Sequence, residues 1–152
     1  MTLNAPPPGR VLGVDLGLKR TGLALSDEFR VTIRALPNLA VKSRKEDIAF
    51  LVDTIREWEV LQVVIGHPIL PKSEDEGPMA KRARGFAEAL KVSLDAAEIP
   101  AQVHLVDERG SSQRAAERLV ASGVPKKSRK AALDGEAARI LVEEFLLMRS
   151  DG

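Results

Sequence analysis

Val11-Leu12-Gly13-Val14-Asp15-Leu16-Gly17-Leu18-Lys19-Arg20-Thr21-Gly22-Leu23-Ala24-Leu25-Ser26 is the stretch that decides how this chain folds. Val11 to Leu16 is a short apolar run and reads as a buried strand. Lys19-Arg20-Thr21-Gly22 reads as a turn and Leu23 to Ser26 as a second strand, so the two form a hairpin. Asp15 breaks the apolar pattern. Burying a lone carboxylate is costly unless it is paired or bound to a metal. The competing explanation is a strand-end Asp that opens the turn at Gly17.

Downstream, Val31 to Val41 alternates loosely and predicts a third, more exposed strand, with Pro37 breaking or bending it. From Ser43 the period becomes helical. Ile48, Leu51, Val52, Ile55 and Trp58 share one face, with Trp58 in the core and Arg44, Lys45, Asp47 and Glu57 off that face. Val60 to Ile65, bounded by Gly66 and Pro68, reads as a buried parallel strand. His67 falls at the start of a polar loop with an acidic run, Glu74-Asp75-Glu76. Gly77-Pro78 opens a helix with an apolar face of Ala83, Phe86, Ala87, Leu90, Leu94 and Ala97, and Ile99-Pro100 ends it. Gln102 to Val106 gives a fifth strand in which His104 is structural, and Ser111 or Ser112 caps a helix reaching Ala121. Gly123 to Lys130 reads as a basic loop before a last helix from Ala131 to Met148. The order β-β-β-α-β-α-β-α-α predicts an α/β protein: a mixed five-stranded sheet, three antiparallel strands and then βα units, with helices on both faces.

The chain has 152 residues, 44% hydrophobic and 30% charged, with 23 basic and 22 acidic side chains. That length suits one domain, expected over residues 10–149 between a Pro6-Pro7-Pro8-Gly9 tail (residues 1–9) and a short end at 150–152. No apolar run approaches the roughly 18 residues of a membrane span, and the first ten residues lack a signal-peptide core. A cytoplasmic location without membrane association is the expectation. The absence of Cys excludes disulfides, thiolate zinc sites and Cys nucleophiles, and two His are too few for a His-rich metal site. Metal chemistry here must be carboxylate chemistry, which favours Mg²⁺ or Mn²⁺. Aromatic residues are only 3%, with no Tyr, so a base-stacking platform is poorly supplied and nucleic acid would be held through its phosphates.

Carboxylates stand where packing would not choose them at two further places. Asp107-Glu108-Arg109 follows the apolar Val103-His104-Leu105-Val106, and strand alternation lets at most one of the two acids face Asp15. Pairing of either acid with Arg109 at a strand end is the alternative. Asp134 precedes Ala138, Leu141, Phe145 and Met148 on the inward stripe of the last helix, unless it is that helix's N-cap. Two carboxylates about 4 Å apart repel by roughly 4 kcal/mol at an effective dielectric near 20, and a divalent cation reverses the sign. Around these acids lie Lys19-Arg20, Ser111-Ser112, Lys81, Arg82 and Arg84, and the run Lys126-Lys127-Ser128-Arg129-Lys130. A solvated charged face is the ordinary explanation of any one such run; together they suit a phosphate backbone tracking past the acids. His67 is a candidate proton shuttle or, more simply, a loop side chain.

Four segments resemble, in order, the motifs of the YqgF/RuvX family. Gly13-Val14-Asp15-Leu16-Gly17, Arg20-Thr21-Gly22-Leu23-Ala24 and Ser26-Asp27 are similar to its opening motif. Val64-Ile65-Gly66-His67-Pro68 with Glu76-Gly77-Pro78 is similar to its second, Asp107-Glu108-Arg109 to its third, and Leu133-Asp134-Gly135-Glu136-Ala137-Ala138 with Ile140-Leu141 to its fourth. The resemblance implies an RNase H-like fold and a metal-dependent nuclease, a Holliday junction resolvase or an enzyme maturing the 5′ end of pre-16S rRNA. It implies catalytic acids at Asp15, the Asp107-Glu108 pair and Asp134. Asp15, Glu108 and Asp134 would be the ligands of one or two Mg²⁺ or Mn²⁺ ions. Lys19, Arg20, Arg109, Ser111, Ser112, Lys126, Lys127, Arg129 and Lys130 are the candidate nucleic-acid contacts. Two departures bear on substrate choice: Gly110-Ser111-Ser112 replaces the usual Leu-Thr-Thr, and His67 stands where the family has an apolar residue.

Two other functions compete. A non-catalytic nucleic-acid-binding module on the same fold would keep the basic face without the chemistry. Asp15-Leu16-Gly17 also looks like a phosphate loop of an actin-like ATPase or kinase, but such enzymes need two related domains and this chain has length for one. A four-way junction as substrate favours a two-fold homodimer making paired incisions; RNA trimming does not require one.

Overall fold

Among the described residues of the computed structural model, nine elements follow one another in the order expected: β1 (Arg10–Leu16), β2 (Arg20–Ser26), β3 (Ile33–Ala40), α1 (Arg44–Glu57), β4 (Val60–His67), α2 (Pro78–Ala96), β5 (Gln102–Asp107), α3 (Ser111–Ala121) and α4 (Lys126–Ser150). The structure describes residues 6–67, 77–107 and 111–150, of which Asp107, Ser111, Ser112, Gln113, Lys130, Ala131 and Ser150 are described in their backbone only.

The strands form one mixed sheet in the order β3-β2-β1-β4-β5. β1 is antiparallel to β2 and β2 to β3, while β1–β4 and β4–β5 are parallel, so the expected mixed five-stranded architecture holds. Strand alternation divides the apolar residues between two faces. Leu12, Val14, Leu23, Leu25, Val63 and Ile65 pack with Ile48, Leu51 and Ile55 of α1 and Phe86, Leu90 and Leu94 of α2. Val11, Ala24, Val64 and Val106 pack on the other face with Ala138, Leu141, Val142 and Phe145 of α4. α3 closes on α4 through Ala115, Ala137 and Ile140. Among the described residues no helix is long and apolar enough to cross a membrane.

Several local expectations are corrected. The turn after β1 is confined to 17–19, because the ladder resumes earlier than the sequence suggests: Thr21 pairs with Leu16 and Gly22 with Asp15. Gly22 is therefore a strand residue. Gly17 carries the turn instead; a Cβ there would overlap the carbonyl oxygen of Arg20. Of the two effects expected of Pro37, β3 shows the bend and not the break. Thr21 pairs with Leu39 but Leu23 with Leu36, so β3 carries an extra residue in a bulge around Pro37, tolerable on an edge strand.

Asp47, expected off the buried face of α1, is 4% exposed. Its carboxylate accepts the Lys42 N–H at 3.3 Å, beside the Ser43 N-cap that accepts from Glu46 N–H at 3.1 Å. Trp58 is half-buried against the core rather than within it. His67 is the last residue of β4, paired with Asp107, and not a loop residue. α4 starts at Lys126, where Ser128 N–H donates to the Pro125 carbonyl at 2.9 Å, so the basic run forms opening helical turns instead of a loop. Met148, expected on the inward stripe, is 58% exposed.

Candidate active site at the carboxyl ends of the parallel strands

β1, β4 and β5 run parallel, so their carboxyl ends meet on one rim of the sheet, where ligands of open α/β sheets bind. Asp15, His67 and Asp107 stand on that rim, Asp15 half-buried. Strand parity separates them. Asp15 shares its face with Gly13 and Gly22, under α4, whereas His67 continues the Val63–Ile65 face under α1 and α2.

α4 meets the strands at their glycines. A Cβ at Gly22 would overlap the backbone carbonyl of Asp134 and lie 2.9 Å from its Cβ. One at Gly13 would lie 2.6 Å from both the Ala138 carbonyl oxygen and Val142 Cγ2. The backbone of α4 therefore rests directly on β1 and β2. Because Gly22 is the register partner of Asp15, the α4 backbone at Asp134 lies over the strand position next to Asp15. Asp134 lies well inside α4, which removes the N-cap explanation of its inward position.

Arg20 opens β2 two residues from Gly22, on the same face by parity. Its Nε donates to Asp134 Oδ2 at 3.2 Å, with side-chain exposures of 37% and 23%. Arg82 donates to the Gly17 carbonyl at 2.7 Å and ties α2 to the turn beyond Asp15. Lys19, Lys126 and Lys127 are exposed; Arg129 is half-buried, and its Nε donates to the Val124 carbonyl at 3.0 Å. Glu108 and Arg109 lie outside the described residues, as do the side chains of Asp107, Ser111, Ser112 and Lys130. Among the described residues, no three potential ligands converge on a point.

Two features of the opening motif are structural. Ser26 Oγ accepts the Val11 N–H at 2.8 Å, and Asp27 holds the β2–β3 turn by accepting from the N–H groups of Phe29, Val31 and Thr32. Sequence reasoning missed the seat formed by Gly13 and Gly22. Glycine inside an apolar strand is itself a signal of close backbone approach, and it went unused. His104 is structural as expected: its Nε2 lies 2.6 Å from Gln62 Oε1, its ring packs on Phe145, and burial, aided by Arg149, lowers its pKa.

A mixed sheet in this strand order, with acids on the rim and a helix seated on β1 and β2, defines the RNase H-like class. The same fold is seen in Thermus thermophilus RuvC bound to a Holliday junction, at a TM-score of 0.56 and 16% identity over 93% of this chain and 96% of that one. It recurs in the fowlpox virus resolvase with its junction DNA, at a TM-score of 0.54 and 13% identity over 91% and 97%. The RuvX family, described as Holliday junction resolvase, matches residues 9–148, and the chain belongs to that family. A relative from Anaeromyxobacter dehalogenans is 40% identical over 93% of this chain and 98% of its own length, and is named "Putative pre-16S rRNA nuclease". One of the same name from Syntrophus aciditrophicus is 35% identical over 90% of this chain and 87% of its own length.

Proposed function

We propose that this nuclease, a hydrolase of phosphodiester bonds, works on structured nucleic acid with a divalent cation held by Asp15, Glu108 and Asp134. Its substrates are the 5′ end of pre-16S rRNA, four-way DNA junctions, or both. The observation that carries the proposal is the seating of Asp134 on Gly22, the register partner of Asp15. Packing alone gives no reason to seat an acid-bearing turn of helix over the strand position next to another acid.

The donor set fits a hard cation. Both described donors are carboxylate oxygens, the ligands Mg²⁺ and Mn²⁺ prefer, and Arg20 already places a positive charge against Asp134. Glu108, taken ahead of Asp107 as the third donor, lies outside the described residues. When bound, one or two ions would polarise the scissile phosphate and acidify a coordinated water. The chain's own part is positional. The acids fix where the cation sits, and Lys19, Arg20, Arg109, Ser111, Ser112, Lys126, Lys127, Arg129 and Lys130 align the phosphates. Phosphate contacts set orientation without reading sequence.

The test is a side-by-side cleavage assay on four-way junctions, single strands and precursor rRNA with Mg²⁺ and with Mn²⁺. At least one substrate is cleaved by the wild type and none by Asp15→Asn. Cleavage that persists without any divalent ion refutes the metal site, and binding without cleavage of any substrate leaves a nucleic-acid-binding module. A two-fold dimer in solution is the corollary if junctions are the preferred substrate.

A further inference from the structure

Arg20 opens β2 beside the rim that carries Asp15, and its Nε contacts Asp134, a proposed cation ligand. The residue opens a strand paired on both sides, with Thr21 bonded into β1 and Arg20 itself opposite Ala40 of β3, so its backbone is fixed. Its guanidinium occupies Oδ2 of Asp134. The carboxylate keeps further lone pairs on Oδ1, so the competition is one of charge: a guanidinium on Oδ2 and a divalent cation on the same carboxylate repel each other.

We propose that Arg20 is the exchangeable counter-ion of this site: it holds Asp134 while no divalent cation is bound and, once released, turns to a phosphate of the substrate. This rests on the metal reading of Asp15 and Asp134. Arg20 thus competes with the cation in the protein free of nucleic acid and cooperates with it in the complex. Linkage makes that cooperation reciprocal: the cation strengthens nucleic-acid binding by the factor by which nucleic acid strengthens cation binding.

The experiment is a Mn²⁺ titration of the full chain, free of nucleic acid, read as unbound Mn²⁺ by electron paramagnetic resonance. Wild type, Arg20→Gln, Arg20→Lys and Asp134→Asn are compared, with a thermal melt showing that each is folded. Arg20→Gln binds Mn²⁺ about fivefold more tightly than wild type, the size a half-exposed ion pair allows. Arg20→Lys falls between them, and Asp134→Asn binds far more weakly. In a parallel measurement, Mn²⁺ strengthens binding of a cleavage-resistant, phosphorothioate four-way junction by a larger factor in wild type than in Arg20→Gln. Equal or weaker Mn²⁺ binding by Arg20→Gln, with binding still lost in Asp134→Asn, overturns the role of Arg20 and leaves the metal site standing. No difference between wild type and Asp134→Asn overturns the metal site, and the counter-ion role with it.

Discussion

Gly22 shows how one missing methyl group can seat a helix on the rim of a sheet. Glycine inside a strand ordinarily weakens it, so replacement by Ala should stabilise by about 0.5–1 kcal/mol. Here the sign reverses, because the added Cβ would collide with the backbone of α4 at Asp134, which cannot swing aside as a side chain can. Gly22→Ala is expected to cost about 3 kcal/mol, the upper end of overpacking, and to abolish cleavage by lifting Asp134 off the sheet. Urea unfolding measures the first and the cleavage assay the second. Gly13→Ala should cost less, because one of its two close neighbours, Val142 Cγ2, belongs to a side chain. The acids behave differently. Asp15→Asn and Asp134→Asn keep shape and remove charge, so cleavage falls to background while the melting temperature hardly moves. In Asp134→Asn the lost partner is a partly exposed Arg20, worth no more than about 1 kcal/mol. Asp15 and Asp134 were legible because each interrupts an apolar period. The seat at Gly22 and the pairing of Arg20 were not, because a strand's own sequence does not state which face the last helix covers.

At the scale of elements, one carboxylate gathers three N–H groups of the β2–β3 connection, alongside that turn's own backbone hydrogen bonds. Asp27 accepts from Thr32 N–H at 2.7 Å, Val31 N–H at 2.8 Å and Phe29 N–H at 3.1 Å. The Thr32 hydrogen bond, followed by those from Val31 and Phe29, outweighs desolvation and holds the carboxyl below its ordinary value of 3.8. A group whose folded pKa is depressed contributes its stability fully above the unfolded value and loses it as pH falls through the folded one. Unfolding followed from about pH 5 to pH 2 should therefore show a steeper acid limb in wild type than in Asp27→Asn. Parallel limbs would assign the slope to other carboxylates. The elements themselves were legible in type and order, because strand and helix periods differ so plainly along this chain. Boundaries were lost where local chemistry misled. Lys126 to Lys130 carries positive charge where a helix start disfavours it, and no Ser, Thr, Asp or Asn cap precedes it, so α4 was given too late a beginning. Thr21-Gly22 reads as turn chemistry, yet the ladder to β1 claims both residues.

Over the whole molecule, near-neutral net charge conceals a division of labour among the cations. Arg114 and Arg118 of α3 are engaged with Glu144, Glu136 and Glu143 of α4, so they hold the two helices together, while Arg139 pairs with Glu136 within α4. Lys126 and Lys127 are exposed on the first turn of α4. Seven residues separate Lys127 from Asp134, two helical turns and about 10 Å along the axis, which returns Lys127 to nearly the same side of the helix. The stripe that carries Asp134 onto the sheet thus continues towards the helix start and ends in an exposed Lys127. Each phosphate neutralised releases counterions, so the slope of log K against log salt changes by about 0.9 per contact on duplex DNA and about 0.7 on single strands. Lys126→Ala with Lys127→Ala should flatten that slope by about 1.8 on a duplex substrate or about 1.4 on a single-stranded one. Arg129 is left intact in that variant because its bond to the Val124 carbonyl braces the α3–α4 connection. The magnitude of the loss reports which form of nucleic acid lies over these lysines. An unchanged slope places the binding face away from the start of α4, on the opposite side of the acids.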